Sequence, residues 1–131
     1  MARKKSANLT DAELRLMEVV WEKGRATVAD VVAGLPGSVP LAYSTVLTTL
    51  RILENKGYLR HTADGRAFVY EPIVKRNQAR ESAVTHLVKR FFEGSPELLM
   101  LSLIESKKID ARELSRLKKR IEALPDTKEG K

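Results

Sequence analysis

The side chains most able to do chemistry in this chain are hydroxyls and cations, gathered in three places. Tyr43, Ser44, Thr45 and Thr48 lie close together, with Arg51 one helical turn beyond. Arg60, His61 and Arg66 follow shortly after, and Arg3, Lys4 and Lys5 stand near the start. Groups of this kind donate to anionic oxygens and trade hydrogen bonds with the polar edges of planar molecules. They do not make a nucleophilic or acid–base site. There is no cysteine, which rules out thiolate metal sites, iron–sulfur ligation and a disulfide scaffold. The two histidines are His61 and His86, and His86 has no acidic residue three or four positions on. No nucleophile elbow, phosphate-cradling glycine loop or pair of inward carboxylates is present. The expectation is therefore no enzyme, no cofactor and no metal.

These groups need elements to hold them. Val46, Leu50 and Leu53 recur at i, i+4 and i+7, which predicts a helix over about 42–56, capped by Gly57. Ser44, Thr45, Thr48, Arg51 and Asn55 then project away from its buried stripe. Four hydroxyls, Thr49 included, lower helix propensity there. The competing reading is a plain solvated face. Upstream, Thr10 and Glu13 have the spacing of a capping box and predict a first helix with Leu14, Met17, Val20 and Trp21 as its apolar stripe. Glu13, Arg15, Glu18 and Glu22 fall on or near its other face, and Gly24 ends it. Thr27 caps a short second helix, and 35–40 is a turn-rich connector. Downstream, two β-prone runs flank Asp64-Gly65, a strong hairpin signal. Three helices followed by a hairpin is the order of a winged helix-turn-helix. A helix fits the major groove of DNA, and the hairpin can lie along the neighbouring backbone. In this reading Arg3, Lys4, Lys5, Tyr43, Arg60 and Arg66 contact phosphates, while Ser44, Thr45, Thr48 and Arg51 give sequence preference. His61 is a further wing donor, read as an ordinary exposed residue.

The remainder reads as helical: 75–93, then a helix capped by Ser95 ahead of Pro96, then one capped by Asp110. Residues 98–106 are apolar nearly all round, so they need burial on more than one side. Leu114, Leu117, Ile121 and Leu124 make a clean stripe. So short a helical stretch hardly builds a core alone, and pairing of two copies solves that. The residues expected to pair are Leu87, Phe91, Leu98, Leu99, Leu101, Leu103, Ile104, Leu114, Leu117 and Ile121. The competing arrangement is a monomer whose helices fold back. The organisation read here is mainly α with a small β hairpin. Residues 1–73 form the winged helix-turn-helix, with 1–8 a flexible basic arm; 74–124 form the helical dimerisation region, and 125–131 a disordered tail.

Aromatics are 5% of the chain, so its core must be Leu, Val, Ile and Ala. Net charge is +7, which favours polyanionic partners. The excess is uneven: ten Lys/Arg face eight Asp/Glu in 1–73, but twelve face seven in 74–124. That even charge in the first part supports an alternative, a winged-helix protein-interaction module that binds no DNA. No apolar run approaches a membrane span and no signal-peptide core follows the basic start, so a cytoplasmic protein with no membrane insertion is expected.

The run Leu9-Thr10-Asp11-Ala12-Glu13-Leu14, then Met17 to Trp21, Ala42 to Leu50, Leu53 to Leu59 and Gly65 to Tyr70, closely resembles the penicillinase-repressor (BlaI/MecI) family. The likeness extends over about 9–124. It implies a homodimer that represses antibiotic-resistance or stress genes from palindromic operators, with C-terminal helices that intertwine. It further implies a membrane sensor protease as a partner and a cleavage point in the dimerisation region, at an Asn-Phe bond in the best-known members. Here Ser102 and Leu103 stand at the matching place, the candidate cleavage region, without that pair. A copper-responsive branch carries a C-terminal cysteine cluster, which this chain lacks.

Overall fold

The computed structural model describes residues 9–38 and 40–125; Arg3, Lys4, Lys5 and the expected tail at 126–131 lie outside the described residues. The order is α1 (Asp11–Lys23), β1 (Ala26–Thr27), α2 (Val28–Gly34), α3 (Tyr43–Asn55), β2 (Leu59–Asp64), β3 (Ala67–Pro72), α4 (Arg76–Phe91), α5 (Pro96–Glu105) and α6 (Ala111–Ala123). Contacts divide the chain into two compact units, one up to His86 and one from Leu87. No helix among the described residues is long and apolar enough to cross a membrane.

In the first unit the start of each early helix is written locally. The Thr10 hydroxyl accepts from the Glu13 amide at 3.1 Å, and the Glu13 carboxylate accepts from the Thr10 amide at 2.9 Å. Thr27 and Asp30 repeat this capping box at α2. The Thr27 amide and hydroxyl hold the Asp30 carboxyl below the usual carboxylate range. The phase of α1 differs from the expected stripe. Leu16, Met17, Val19 and Val20 are buried, Trp21 is half-buried, and Leu14 is exposed. Glu13, expected on the outer face, is buried, because Lys56 at the end of α3 reaches it at 2.7 Å. The helices approach closely: a Cβ on Gly34 would sit 2.8 Å from Val19 Cγ1.

Val46, Leu50 and Leu53 of α3 are fully buried, as their spacing requires. Burial of such side chains stabilises by about 1.5–3 kcal/mol each, which fixes the face that α3 presents outward. Val74 and Ala79 join the same core. The Trp21 indole N–H donates to the Val74 carbonyl at 2.9 Å, and Arg76 lies over the indole while pairing with Glu18 at 2.8 Å. The first turns of α4 thus pack with the first unit.

The expected two-stranded hairpin is a three-stranded antiparallel sheet in the order β1-β3-β2. β1 pairs Ala26 with Tyr70 and Thr27 with Val69, so β3 is central. A two-residue strand ahead of a helix cap carries no period of its own, and the sequence shows only the cap. The hairpin loop is also displaced by one residue. Asp64 pairs with Ala67, which leaves Gly65 and Arg66 as the loop. Gly65 has φ +64° while Arg66 is not among the residues with positive φ, the pattern of a type II′ turn with Gly first.

The second unit holds the end of α4 with α5 and α6. Gly94 (φ +79°) turns the chain after α4, and the Ser95 hydroxyl accepts from the Leu98 amide at 3.2 Å to start α5. Asp110 and Glu113 form the capping box of α6. Neither α5 nor α6 has a buried residue.

Candidate nucleic-acid interface

The core stripe of α3 turns the rest of that helix outward. Tyr43, Ser44, Thr45, Thr48, Arg51 and Asn55 are all exposed. The fourth hydroxyl is different: Thr49 donates to the Thr45 carbonyl at 2.8 Å and so satisfies itself on its own helix. The Ser44, Thr45 and Thr48 hydroxyls hold no side-chain hydrogen bond among the described residues.

The N-terminus of α3 stands apart from those of α1 and α2. Its N-cap is Ala42, which provides no side-chain hydrogen bond. The amides of the first turn, at Tyr43, Ser44 and Thr45, therefore have neither an intrahelical carbonyl nor a cap. Such amides, at the positive end of a helix dipole, take anionic oxygens.

The wing brings cations to the same place. A groove of about 260 Å³ runs between the start of α2, the outer face of α3 and the wing. Tyr43, Arg51 and Arg66 line it, over an apolar floor that includes Val28, Leu47 and Phe68. Neither Arg51 nor Arg66 is in an ion pair among the described residues. Arg60 differs: it faces Glu71 across the strands at 3.5 Å, with its side chain still 66% exposed. The structure thus gathers Tyr43, Arg51 and Arg66 around one groove, sets Ser44, Thr45 and Thr48 on the exposed face of the same helix, and leaves Arg60 on the outer strand. Phe68 is exposed, whereas Tyr70 is buried beneath the wing. Burial, then the Glu54 carboxylate, push the Tyr70 hydroxyl above its ordinary value, and Arg51 acts in the opposite sense. Burial, then Glu13, do the same for Tyr58.

Sequence reasoning missed one partnership here. His61 is exposed, as expected, but it is not without partners. Its Nδ1 sits 2.9 and 2.8 Å from the two carboxylate oxygens of Glu54, and its ring stacks on Phe68 at 4.3 Å. It ties the wing to the end of α3. No spacing rule links a helix residue to a strand residue seven positions later across a turn. The one available signal was a lone histidine and a lone glutamate flanking Gly57.

The expected pairing residues lie on the second unit and the end of α4. Leu87, Phe91, Leu98, Leu101, Ile104, Leu117 and Ile121 are exposed, and Leu99, Leu103 and Leu114 are half-buried. Ser102 and Leu103 lie inside α5, where the Ser102 carbonyl accepts from the Ser106 amide at 3.0 Å and its hydroxyl at 2.8 Å. Among the described residues no group of three His, Asp or Glu stands ready to hold a metal.

Three helices, an outward-facing third helix and a hairpin tied back through a short strand define a winged helix-turn-helix. The solved DNA-binding domain of the repressor BlaI shares this fold, with a TM-score of 0.51 and 33% identity over 57% of this chain and 92% of that one. The chain belongs to the penicillinase repressor family, whose sequence model matches residues 9–123. That is a family of transcriptional repressors and not of enzymes. The chain is 29% identical over 114 residues to the penicillinase repressor of Bacillus licheniformis, covering 87% of this chain and 89% of the relative. It is 28% identical over 119 residues to the transcriptional regulator BlaI of Mycobacterium tuberculosis, covering 77% and 86%.

Proposed function

We propose that this chain is a homodimeric transcriptional repressor that binds double-stranded DNA at a palindromic operator. The observation that carries the reading is the exposed start of α3, where uncapped amides, free hydroxyls and the groove cations Arg51 and Arg66 meet. Tyr43, Arg60, Arg66 and the first-turn amides of α3 contact phosphates, which set position but not sequence. Arg3, Lys4 and Lys5 add further positive charge. Ser44, Thr45, Thr48 and Arg51 meet base edges in the major groove. The family membership and the BlaI domain fold support this assignment.

Dimerisation is supported by the second unit. Leu98, Met100, Leu101 and Ile104 on α5, and Leu117 and Ile121 on α6, are exposed in a single chain. A second copy that covers them also sets two α3 helices into successive major grooves, one helical turn or a multiple of it apart. A membrane sensor protease that acts on Ser102-Leu103 would face a helical bond. Proteases take extended backbone, so that bond is reached only once α5 has opened.

A gel-shift with a duplex covering the chain's own promoter region tests the reading. Binding should prefer that duplex over random DNA at moderate salt and weaken steeply as salt rises. Equal binding to both at every salt concentration overturns sequence-specific repression.

A further inference from the structure

His61 is the third residue of β2, on the wing strand that runs away from α3. Both oxygens of the Glu54 carboxylate lie within 2.9 Å of its Nδ1. A carboxylate only accepts, so the hydrogen is on Nδ1, and Nε2 of the neutral ring carries a lone pair. The two nitrogens diverge across the five-membered ring, and a ring that gives Nδ1 to Glu54 turns Nε2 away from it. Among the described residues Nε2 has no hydrogen-bond partner. Phe68 stacks on the ring at 4.3 Å and Tyr70 lies tilted at 5.6 Å, and both contacts favour this orientation of the imidazole. The result is an oriented imidazole on the wing.

We propose that His61 is a proton-gated phosphate contact: with Nδ1–H held by Glu54, the ring takes a second proton on Nε2 and donates that N–H to a DNA backbone phosphate. This rests on the DNA-binding reading above and adds to it a residue and a signal. The charged ring gains twice, from Glu54 at one nitrogen and from the phosphate at the other. Each protomer takes up one proton from solvent as it binds and returns it on release. The ionisable groups against the ring are Glu54 from α3, in direct contact, and Tyr70 from β3, tilted beside it. On β2 itself, Arg60 is turned to Glu71 on the other side of the strand.

The test is the affinity of the full chain for a labelled duplex of its own promoter region, by fluorescence anisotropy, over the range in which imidazoles titrate, from about pH 8 to about pH 6. The wild-type affinity should rise about threefold to tenfold per protomer, and the salt slope should steepen by about one unit per protomer. His61→Asn keeps an amide donor for Glu54 but has no second proton to take. It should bind like the wild type at the alkaline end and lose both the rise and the steeper slope. Glu54→Gln should move the rise to lower pH. A rise that survives in His61→Asn overturns the proposal, as does an equal loss of affinity at every pH, which would mark His61 as purely structural. Binding by the wild type with no pH dependence overturns the proton link and leaves the DNA reading standing. No binding to any duplex removes both.

Discussion

Replacing Lys56 with Met should destabilise the protein more than replacing Glu13 with Gln, although both remove the same 2.7 Å ion pair. The Glu13 side chain is 7% exposed and that of Lys56 26%. At this distance and an effective dielectric of about 20 the attraction is roughly 6 kcal/mol, set against a desolvation cost of several kcal/mol per ion. Removing one partner exposes what the other lost on burial. Lys56→Met strips the cation from a carboxylate that water barely reaches. Breaking a fully buried pair costs about 3–5 kcal/mol; the partial exposure of Lys56, and the packing that Met retains, bring this to about 2–3 kcal/mol. Glu13→Gln leaves an uncharged acceptor for the Thr10 amide, and the ammonium keeps its water, so the cost is about 1 kcal/mol. For a unit of this size each kcal/mol moves Tm by about 4–8 °C. Lys56→Met should therefore lower Tm by about 10 °C or more, and Glu13→Gln by about 5 °C. The double variant, with no buried charge left, should be no worse than Lys56→Met alone. Thermal and urea unfolding at neutral pH, followed by circular dichroism, measure all three. If Glu13→Gln costs as much as Lys56→Met, carboxylate burial does not set the cost and the reasoning fails.

Three other outcomes follow from the same geometry. Ile121→Glu, at a residue 67% exposed in the single chain, should halve the mass seen by light scattering and leave the unfolding of the first unit unchanged; a dimer that persists would place the interface elsewhere. Thr45→Ala or Thr48→Ala should narrow the preference for the promoter duplex over random DNA, whereas Arg66→Ala should weaken both alike by about one unit of salt slope; equal effects from all three would refute that division. The Tyr58 and Tyr70 hydroxyls have folded pKa values raised above the ordinary 10.0. Their contribution to stability is fully present below about pH 10 and is lost as pH climbs through the raised values, because the unfolded chain releases those protons first. Urea midpoints above pH 10 should fall more slowly in Tyr70→Phe than in the wild type, and identical slopes would assign the loss to other groups.

What could be read from sequence was what the chain decides locally. The caps at Thr10, Thr27, Ser95 and Asp110 act over three residues, and each is found where it was expected. The stripe Val46, Leu50 and Leu53 survives because nothing else on α3 competes for the core. The phase of α1 was harder. Leu14 and Leu16 are both apolar, and the packing of α2 and α3 decides which is buried. Glu13 looked like an outer-face residue because the lysine that buries it is 43 positions away. β1 is invisible for the same reason: Ala26 and Thr27 are a strand only because Tyr70 and Val69 lie alongside. At the wing tip, Asp64-Gly65 and Gly65-Arg66 are equally good turn dipeptides, and the pairing of Asp64 with Ala67 chooses between them. Of the candidate interface, the hydroxyl face and the cations were legible. Their meeting in one groove, and the Glu54–His61 tie, needed the third dimension.

The two residues of β1 also divide the wing in time. Pairing from β1 reaches β3 only at Val69 and Tyr70, so the base of the hairpin is held on both sides while the segment from Ala63 to Ala67 has only itself. Opening the base must disturb the core around Tyr70; opening the tip costs a few exposed hydrogen bonds. Backbone amides in the tip should exchange with deuterium quickly in the free protein, and those of Val69 and Tyr70 should exchange close to the rate of global unfolding. Arg66 then sits on the part of the wing that can follow a backbone whose path varies, and His61 on the part that cannot.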